Sequence, residues 1–409
     1  MASNPGVSTG AVVMTALMVT GNMVGAGILA LPVNLGPSGL YPAIAGTVCM
    51  WLLMTTTAMI YSRQKALVEG EGADLPTFFG CELGRTGKWI SVVANMVILY
   101  GLLTAYLAGV GSIVVNLFDL SIPEWAALLA YFIPATLLTS FGAEVMRRGN
   151  TLLMLCMWGA FAVLVALTVP HMSFARASMH DWGFFPSALP VLLTAFHFHN
   201  IIPTICRTLK QDRAAITKTI WIGTSLGLCM NIVWIVVVVC ALPMSGSGAN
   251  IINAFEANQP ATVPLARVIG GSTFMDVALL FSIVAMTTSF MANGIALLSF
   301  IGDLASPLAG RLRNVVVWPA AFLPPLFVGI VYPDIFLSAL DVAGGVGINI
   351  LFGILPGVLL IKYANGRAMH RWFGMVLVAL FSIVLVIELG QEMGLLHISP
   401  DVEYWTAKY

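Results

Sequence analysis

The residues best suited to chemistry in this chain fall in two short runs set inside apolar surroundings. The first is Gly21-Asn22-Met23-Val24-Gly25-Ala26-Gly27, in a hydrophobic stretch that closes at Pro32. The second, some 175 residues on, is Phe196-His197-Phe198-His199-Asn200-Ile201-Ile202-Pro203. Glycine leaves helical geometry without a steric penalty and lets a ligand approach the backbone. An unwound segment at Gly21, Gly25 and Gly27 would expose amide N–H groups at a half-helix N-terminus, where the dipole favours a carboxylate. Asn22 and Ala26 belong to the same run. The alternative is small-residue helix packing, because Gly21-x-x-x-Gly25 is also a packing motif. In the second run Pro203 removes a backbone donor and leaves a carbonyl near position 199 unpaired. Such carbonyls suit an ammonium or a coupling cation. Phe196 and Phe198 offer an apolar wall, and Asn200 a polar edge.

Ionisable groups at membrane depth are functional candidates by default. His197 and His199 are two, with His199 the stronger candidate for a substrate or proton site, against a hydrogen-bonded structural role. A shared metal is disfavoured, since positions two apart on a helix face different ways. Asp341, a turn or two inside a later apolar segment, is a second candidate proton carrier; the alternative is a solvated carboxylate at the outer mouth. Thr287, Thr288 and Ser289 are hard oxygen ligands that could hold sodium against the first run, or hydroxyls that back-bond within their helix. Tyr100 and Thr104 share a helix face that could line a cavity. Tyr106 reads as core packing.

The elements that must position these residues are membrane-spanning helices. The chain has 409 residues, is 59% hydrophobic and is only 9% charged, where a soluble domain is about 25% charged. Mean hydropathy is +0.95. Net charge is zero, so there is no basic footprint for nucleic acid. Apolar runs long enough to cross a bilayer recur throughout. They predict eleven spans, near 10–32, 40–62, 89–116, 124–142, 147–170, 187–206, 215–243, 272–302, 314–331, 335–361 and 370–389. Fifteen of the eighteen Lys and Arg residues then share one side: Arg63, Lys65, Arg85 and Lys88; Arg147 and Arg148; Arg207, Lys210, Arg213 and Lys218; Arg311 and Arg313; Lys362, Arg367 and Arg371. Only Arg176, Arg267 and Lys408 fall elsewhere. The positive-inside rule puts the N-terminus inside and, after an odd number of spans, the C-terminus outside.

The expected organisation is a single all-α membrane domain over 1–409. Five spans per half, each half opening on an interrupted helix, is the arithmetic of an inverted repeat covering 10–170 and 187–361, with 370–389 as an additional helix. The connection from Ser62 to Lys88 holds an amphipathic stretch, Leu75–Leu83, expected to lie along the membrane surface. The connection from Pro243 to Gly271 has room for a short helix or two. No cleavable signal peptide is expected, because the first apolar segment is long, glycine-rich and lacks a positive n-region. The six cysteines are scattered, with no C-x-x-C, and read as small packing residues. No HExxH, serine elbow or paired-carboxylate motif appears, so neither an enzyme nor a resident cofactor is expected. Helix breaks in corresponding positions of two halves point to the substrate site of a secondary transporter.

Gly-Asn-Met-Val-Gly-Ala-Gly-Ile-Leu-Ala-Leu-Pro at 21–32 resembles the first-helix signature of the bacterial hydroxy and aromatic amino acid permeases, the tryptophan- and tyrosine-specific transporters of the amino acid–polyamine–cation superfamily. Three further stretches agree: 196–204 with the family's Phe-Gly-Phe-His-x-x-Ile-Pro-Ser, 99–109 with its third helix, and 343–356 with its tenth. The resemblance implies a five-plus-five inverted repeat with broken first and sixth helices. It also implies proton-coupled uptake of an aromatic amino acid across the inner membrane. On that reading the carboxylate meets amides around Gly25 and Gly27, the ammonium meets carbonyls around Phe196 and His199, and the ring packs near Phe196, Phe198 and Tyr100. His197 departs from the pattern, standing where the family has glycine. A sodium-coupled carrier using Thr287, Thr288 and Ser289, a gradient-independent exchanger, and an intramembrane enzyme using His199 and Asp341 are the competing readings.

Overall fold

A computed structural model of the chain describes residues 7–64, 75–305 and 310–407, with the backbone alone at 141–151 and 310–314. Lys65, Lys408 and the side chains of Arg147, Arg148, Arg311 and Arg313 therefore lie outside the described residues. The fold is almost entirely helical, as glycine-punctuated runs of Leu, Ile, Val, Ala and Met in lipid demand: every backbone group must be satisfied within its own segment.

In chain order the helices are α1 (Thr9–Met23), α2 (Ala26–Leu35), α3 (Leu40–Ser62), α4 (Leu75–Leu117), α5 (Glu124–Thr168), α6 (Leu189–Ala195), α7 (Ile202–Thr208), α8 (Arg213–Ala241), α9 (Ile251–Glu256), α10 (Thr262–Ile269), α11 (Ser272–Leu304), α12 (Gly310–Val331), α13 (Phe336–Val342), α14 (Leu355–Lys362), α15 (Ala368–Glu392) and α16 (Val402–Thr406). A π-helical segment, Ala343–Ile354, joins α13 to α14. By length and composition, eight helices among the described residues are able to cross a membrane, or nine when α1 and α2, bent by 52° at their junction, count as one crossing. Val315–Val331 is a shorter apolar helix. The outward faces carry large apolar side chains, among them Leu152, Leu155, Phe327, Trp372 and Val386, far more than a water-soluble surface tolerates.

Two groups of helices share the packing. In one, α1 and α3 lie against α8; in the other, α4, α5, α11 and α12 form a slab, with α13 and the π segment against α4; α6 lies between them, against α2 on one side and the π segment on the other. Both helix interruptions sit where the groups meet.

One expectation needs correction. Pro32 does not end its helix: α2 continues to Leu35, and the Pro32 carbonyl accepts the Gly36 N–H. Within α5 the two ends return along α11: Tyr131 packs on Phe290 and Thr139 faces Gly294, whereas Phe161 packs on Phe281. The chain therefore reverses between Thr139 and Phe161. The tail after Gly390 is anchored, for α15 continues to Glu392 and the buried Trp405 of α16 donates Nε1 to the Pro37 carbonyl at 3.2 Å.

Leu75–Leu83 forms an arm set off from the rest of α4 by a kink at Gly84, whose φ of 71° suits glycine. Lys362 Nζ pins this arm, 3.0 Å from Glu82 Oε2, and the Tyr363 hydroxyl also bonds Glu82. The connection from Pro243 to Gly271 contains α9 and α10.

Candidate functional site

The first interruption is at Val24 and Gly25. Val24 leaves helical geometry at φ −86°, ψ 84°, and Gly25 is nearly extended at φ −131°, ψ −140°. Gly25 is a bare N-cap, with no side chain satisfying the first amides of α2. A Cβ on Gly25 would lie 2.4 Å from Ser289 Oγ, and one on Gly27 would lie 2.8 Å from the Ala195 Cα. These glycines let α2 touch α11 and α6. Gly21 serves packing instead: a Cβ there would meet Met154 Cε at 2.9 Å.

The second interruption covers Phe196, His197 and Phe198, followed by a single 3-10 turn at His199–Ile201. Pro203 stands in the first turn of α7, after the break rather than within it. The carbonyl at 199, expected to be unpaired, accepts the Ile202 N–H. The tight turn satisfies what the proline would otherwise have freed.

Asn22 joins the breaks. Its Nδ2 donates to Asn200 Oδ1 at 3.1 Å and approaches the His197 carbonyl at 3.4 Å. Beside this bridge lies a cavity of about 20 Å³ whose walls include Asn22, Gly25, Gly27, Tyr106, His197 and Asn293. That is room for about one water molecule. A second cavity of about 230 Å³ has Leu75, Ile98, Leu99, Asn200, Phe300 and Phe352 in its wall. His197 is the residue common to the walls of both cavities. Its Nε2 has no hydrogen-bond partner, and its ring leans on Phe352 at 5.1 Å.

Other candidates are placed differently from expectation. Tyr100 points away from the breaks and donates to the Ala320 carbonyl at 2.7 Å. The cavity face of α4 is instead Leu102 and Tyr106, two residues on, a rotation of about 200° on a helix. Thr104 is buried and outside both cavity walls. Tyr106, read from sequence as core, holds Asn293 Nδ2 at 3.2 Å across to α11. Phe196 and Phe198 are fully buried and line neither cavity. His199 is buried as well, its Nε2 2.9 Å from Thr57 Oγ1 and its ring stacked on Phe352 at 4.8 Å.

The three hydroxyls of α11 diverge, as consecutive helical residues must. Thr287 meets the Tyr131 hydroxyl at 3.2 Å, Thr288 back-bonds to the Val284 and Ala285 carbonyls, and only Ser289 faces the first break. They do not converge on one ion. Asp341 accepts from Asn34 Nδ2 at 3.5 Å and is partly buried. Glu388, which the sequence reading passed over, is 2% exposed and close to Gly345. An acidic residue within the last apolar run was the signal available for it.

Fold and site together define a multi-pass membrane protein organised around two helix breaks that meet at its centre, the build of a solute carrier. The chain belongs to the tryptophan/tyrosine permease family, whose profile matches residues 8–397. It is 30% identical over 341 residues to tyrosine-specific transport system 1 of Haemophilus influenzae, covering 80% of this chain and 82% of that protein. It is 26% identical over 407 residues to the tryptophan-specific transport protein of the same organism, covering 93% and 96%. Its fold is similar to that of a solved manganese transporter of Eremococcus coleocola, with a TM-score of 0.60, 14% identity, and coverage of 97% of this chain and 90% of that one.

Proposed function

We propose that this protein imports an aromatic amino acid, tyrosine or tryptophan, by proton symport with alternating access across a bacterial inner membrane. The observation that carries the reading is the Asn22–Asn200 bridge beside a water-sized cavity lined by the N-terminus of α2. Amides at Ala26 and Gly27 suit the carboxylate. The irregular backbone at Phe196–Phe198 suits the ammonium. With Phe196, Phe198 and Tyr100 turned elsewhere, the ring goes to the larger cavity, among Ile98, Leu99, Phe300 and Phe352. Ligand sites usually span several hundred Å³, so the centre must open: the group holding α1 and α3 tilts against the slab of α4, α5 and α11.

Topology follows the same reading. Eleven crossings result when Val315–Val331 and the first part of α5 each count as one. The halves at 10–170 and 187–361 are then inverted repeats, 370–389 is an appended helix, and the termini lie inside and outside respectively. His199 and Asp341 are the candidate proton carriers. The supporting relatives carry names of tyrosine- and tryptophan-specific transport.

Equilibrium binding of labelled tyrosine and tryptophan to purified protein is the direct test. Saturable binding of either, displaced by the unlabelled amino acid and weakened in Gly25→Val, is expected. Binding unaffected by that variant would remove the site assignment.

A further inference from the structure

Three buried or half-buried polar side chains converge where the outer halves of both broken helices meet the last membrane helix. Asn34 ends α2, Asp341 ends α13, and Glu388 stands near the end of α15. Asn34 is 1% exposed and Glu388 2%. One oxygen on each of the three has neither a hydrogen-bond partner nor contact with solvent: Asn34 Oδ1, Asp341 Oδ1 and Glu388 Oε1. The carboxylates share a face. A Cβ on Gly345 would lie 2.6 Å from Glu388 Cγ and 2.8 Å from its Cδ, and Gly345 is one turn beyond Asp341.

No cation from a neighbouring element compensates this charge among the described residues. The segments packed on α15 and α13 are α2, α4, α6, α14, the π segment and the 3-10 turn at 185–188. Of these, α2, α6, the π segment and the 3-10 turn contain no ionisable residue. Lys362 is at the far end of α14, His370 and Arg371 at the far end of α15, and Glu82, Arg85 and Lys88 at the far end of α4. Tyr100 and Tyr106 of α4 are engaged by Ala320 and Asn293. Two carboxylates gathered near Gly345 in an apolar interior, with no cation beside them, are a natural place for a proton.

We propose that Asp341 and Glu388, with Asn34, form the coupling-proton site, so that the eleventh helix is a working part of the transporter. This rests on the transport reading above and replaces His199 with Glu388 as the second proton carrier. Glu392, exposed at the end of α15, offers the entry from the outer side. The proton is felt by both breaks: Asn34 bonds Asp341 from α2, and Thr194 of α6 donates to the neighbouring Leu340 carbonyl at 2.9 Å. Loading the pair alters the hold on α2, and a relaxed α2 moves with α6.

The test uses Glu388→Gln and Asp341→Asn, neutral replacements of nearly unchanged size, in proteoliposomes. Exchange of labelled for unlabelled substrate without a gradient reads the substrate site alone; accumulation under an inward pH gradient reads coupling. Each variant is expected to exchange within about twofold of wild type and to accumulate no more than wild type does without a gradient. The two variants are independent, so recovery of either in membranes suffices. Wild-type accumulation by a variant overturns the proposal. Wild-type accumulation driven by sodium and indifferent to pH overturns the proton as occupant. Absence of exchange in wild type overturns the transport reading, and this one with it.

Discussion

Asn22 and Asn200 tie the two helix breaks together, Nδ2 of the first donating to Oδ1 of the second at 3.1 Å across 178 positions of sequence. Neither half of the chain completes the site alone. A side-chain hydrogen bond of this kind contributes about 1 kcal/mol net, roughly a fivefold effect. Asn22→Ala and Asn200→Ala are each expected to lower kcat/KM for uptake by roughly five- to tenfold. The double variant should lose little more than the worse single, since the residues act as a pair. Fully additive losses would separate their roles.

Gly25 is expected to tolerate no side chain. Its Cβ would fall 2.4 Å from Ser289 Oγ and 3.2 Å from Ser289 Cβ. Gly25→Ala should reduce uptake at least tenfold with normal membrane insertion, and Gly25→Val should abolish it. Removing the obstacle in Gly25→Ala/Ser289→Gly should recover part of the activity. No recovery would mean that the alanine acts through backbone conformation instead of contact with α11.

His197 stands in the walls of both the cavity of about 20 Å³ and the cavity of about 230 Å³. His197→Gly joins them. Competition uptake should then shift toward the bulkier substrate, raising the tryptophan-to-tyrosine ratio several-fold. An unchanged ratio would place the ring elsewhere.

Thr287 and Thr288 are engaged by Tyr131 and by their own helix. Thr287→Ala and Thr288→Val should leave uptake within about twofold of wild type, measured with and without sodium. A sodium-dependent loss in either would revive the hydroxyl cluster as an ion site.

Trp405 is fully buried and anchors the tail to Pro37, just beyond α2. Trp405→Ala removes a large buried side chain, a change worth about 3–5 kcal/mol in well-packed cores. A clearly lower melting temperature in detergent is expected; an unchanged one would show that the tail adds no stability.

Helix interruptions were legible because glycine and proline punctuate otherwise continuous apolar runs, and charge asymmetry supported the span pattern independently. Side-chain direction was not. Which face of α4 meets the breaks depends on rotation against its neighbours, and a two-residue shift put Leu102 and Tyr106 there instead of Tyr100 and Thr104. The reversal near Arg147 was marked by its paired charges, since charge position locates a membrane boundary. Phe196 and Phe198 looked like pocket walls by proximity to the break, yet irregular backbone turned them into the core. Glu388 was obscured by its apolar surroundings, and its significance appears only once α15 is seen against Gly345 and Asp341.

The most direct test of the central claim is accumulation of labelled tyrosine and tryptophan by proteoliposomes under an inward proton gradient, an inward sodium gradient, or neither. Accumulation of at least one amino acid above equilibrium with the proton gradient alone is the predicted result. No accumulation of either under the proton gradient, in protein that binds the amino acid, would contradict proton symport.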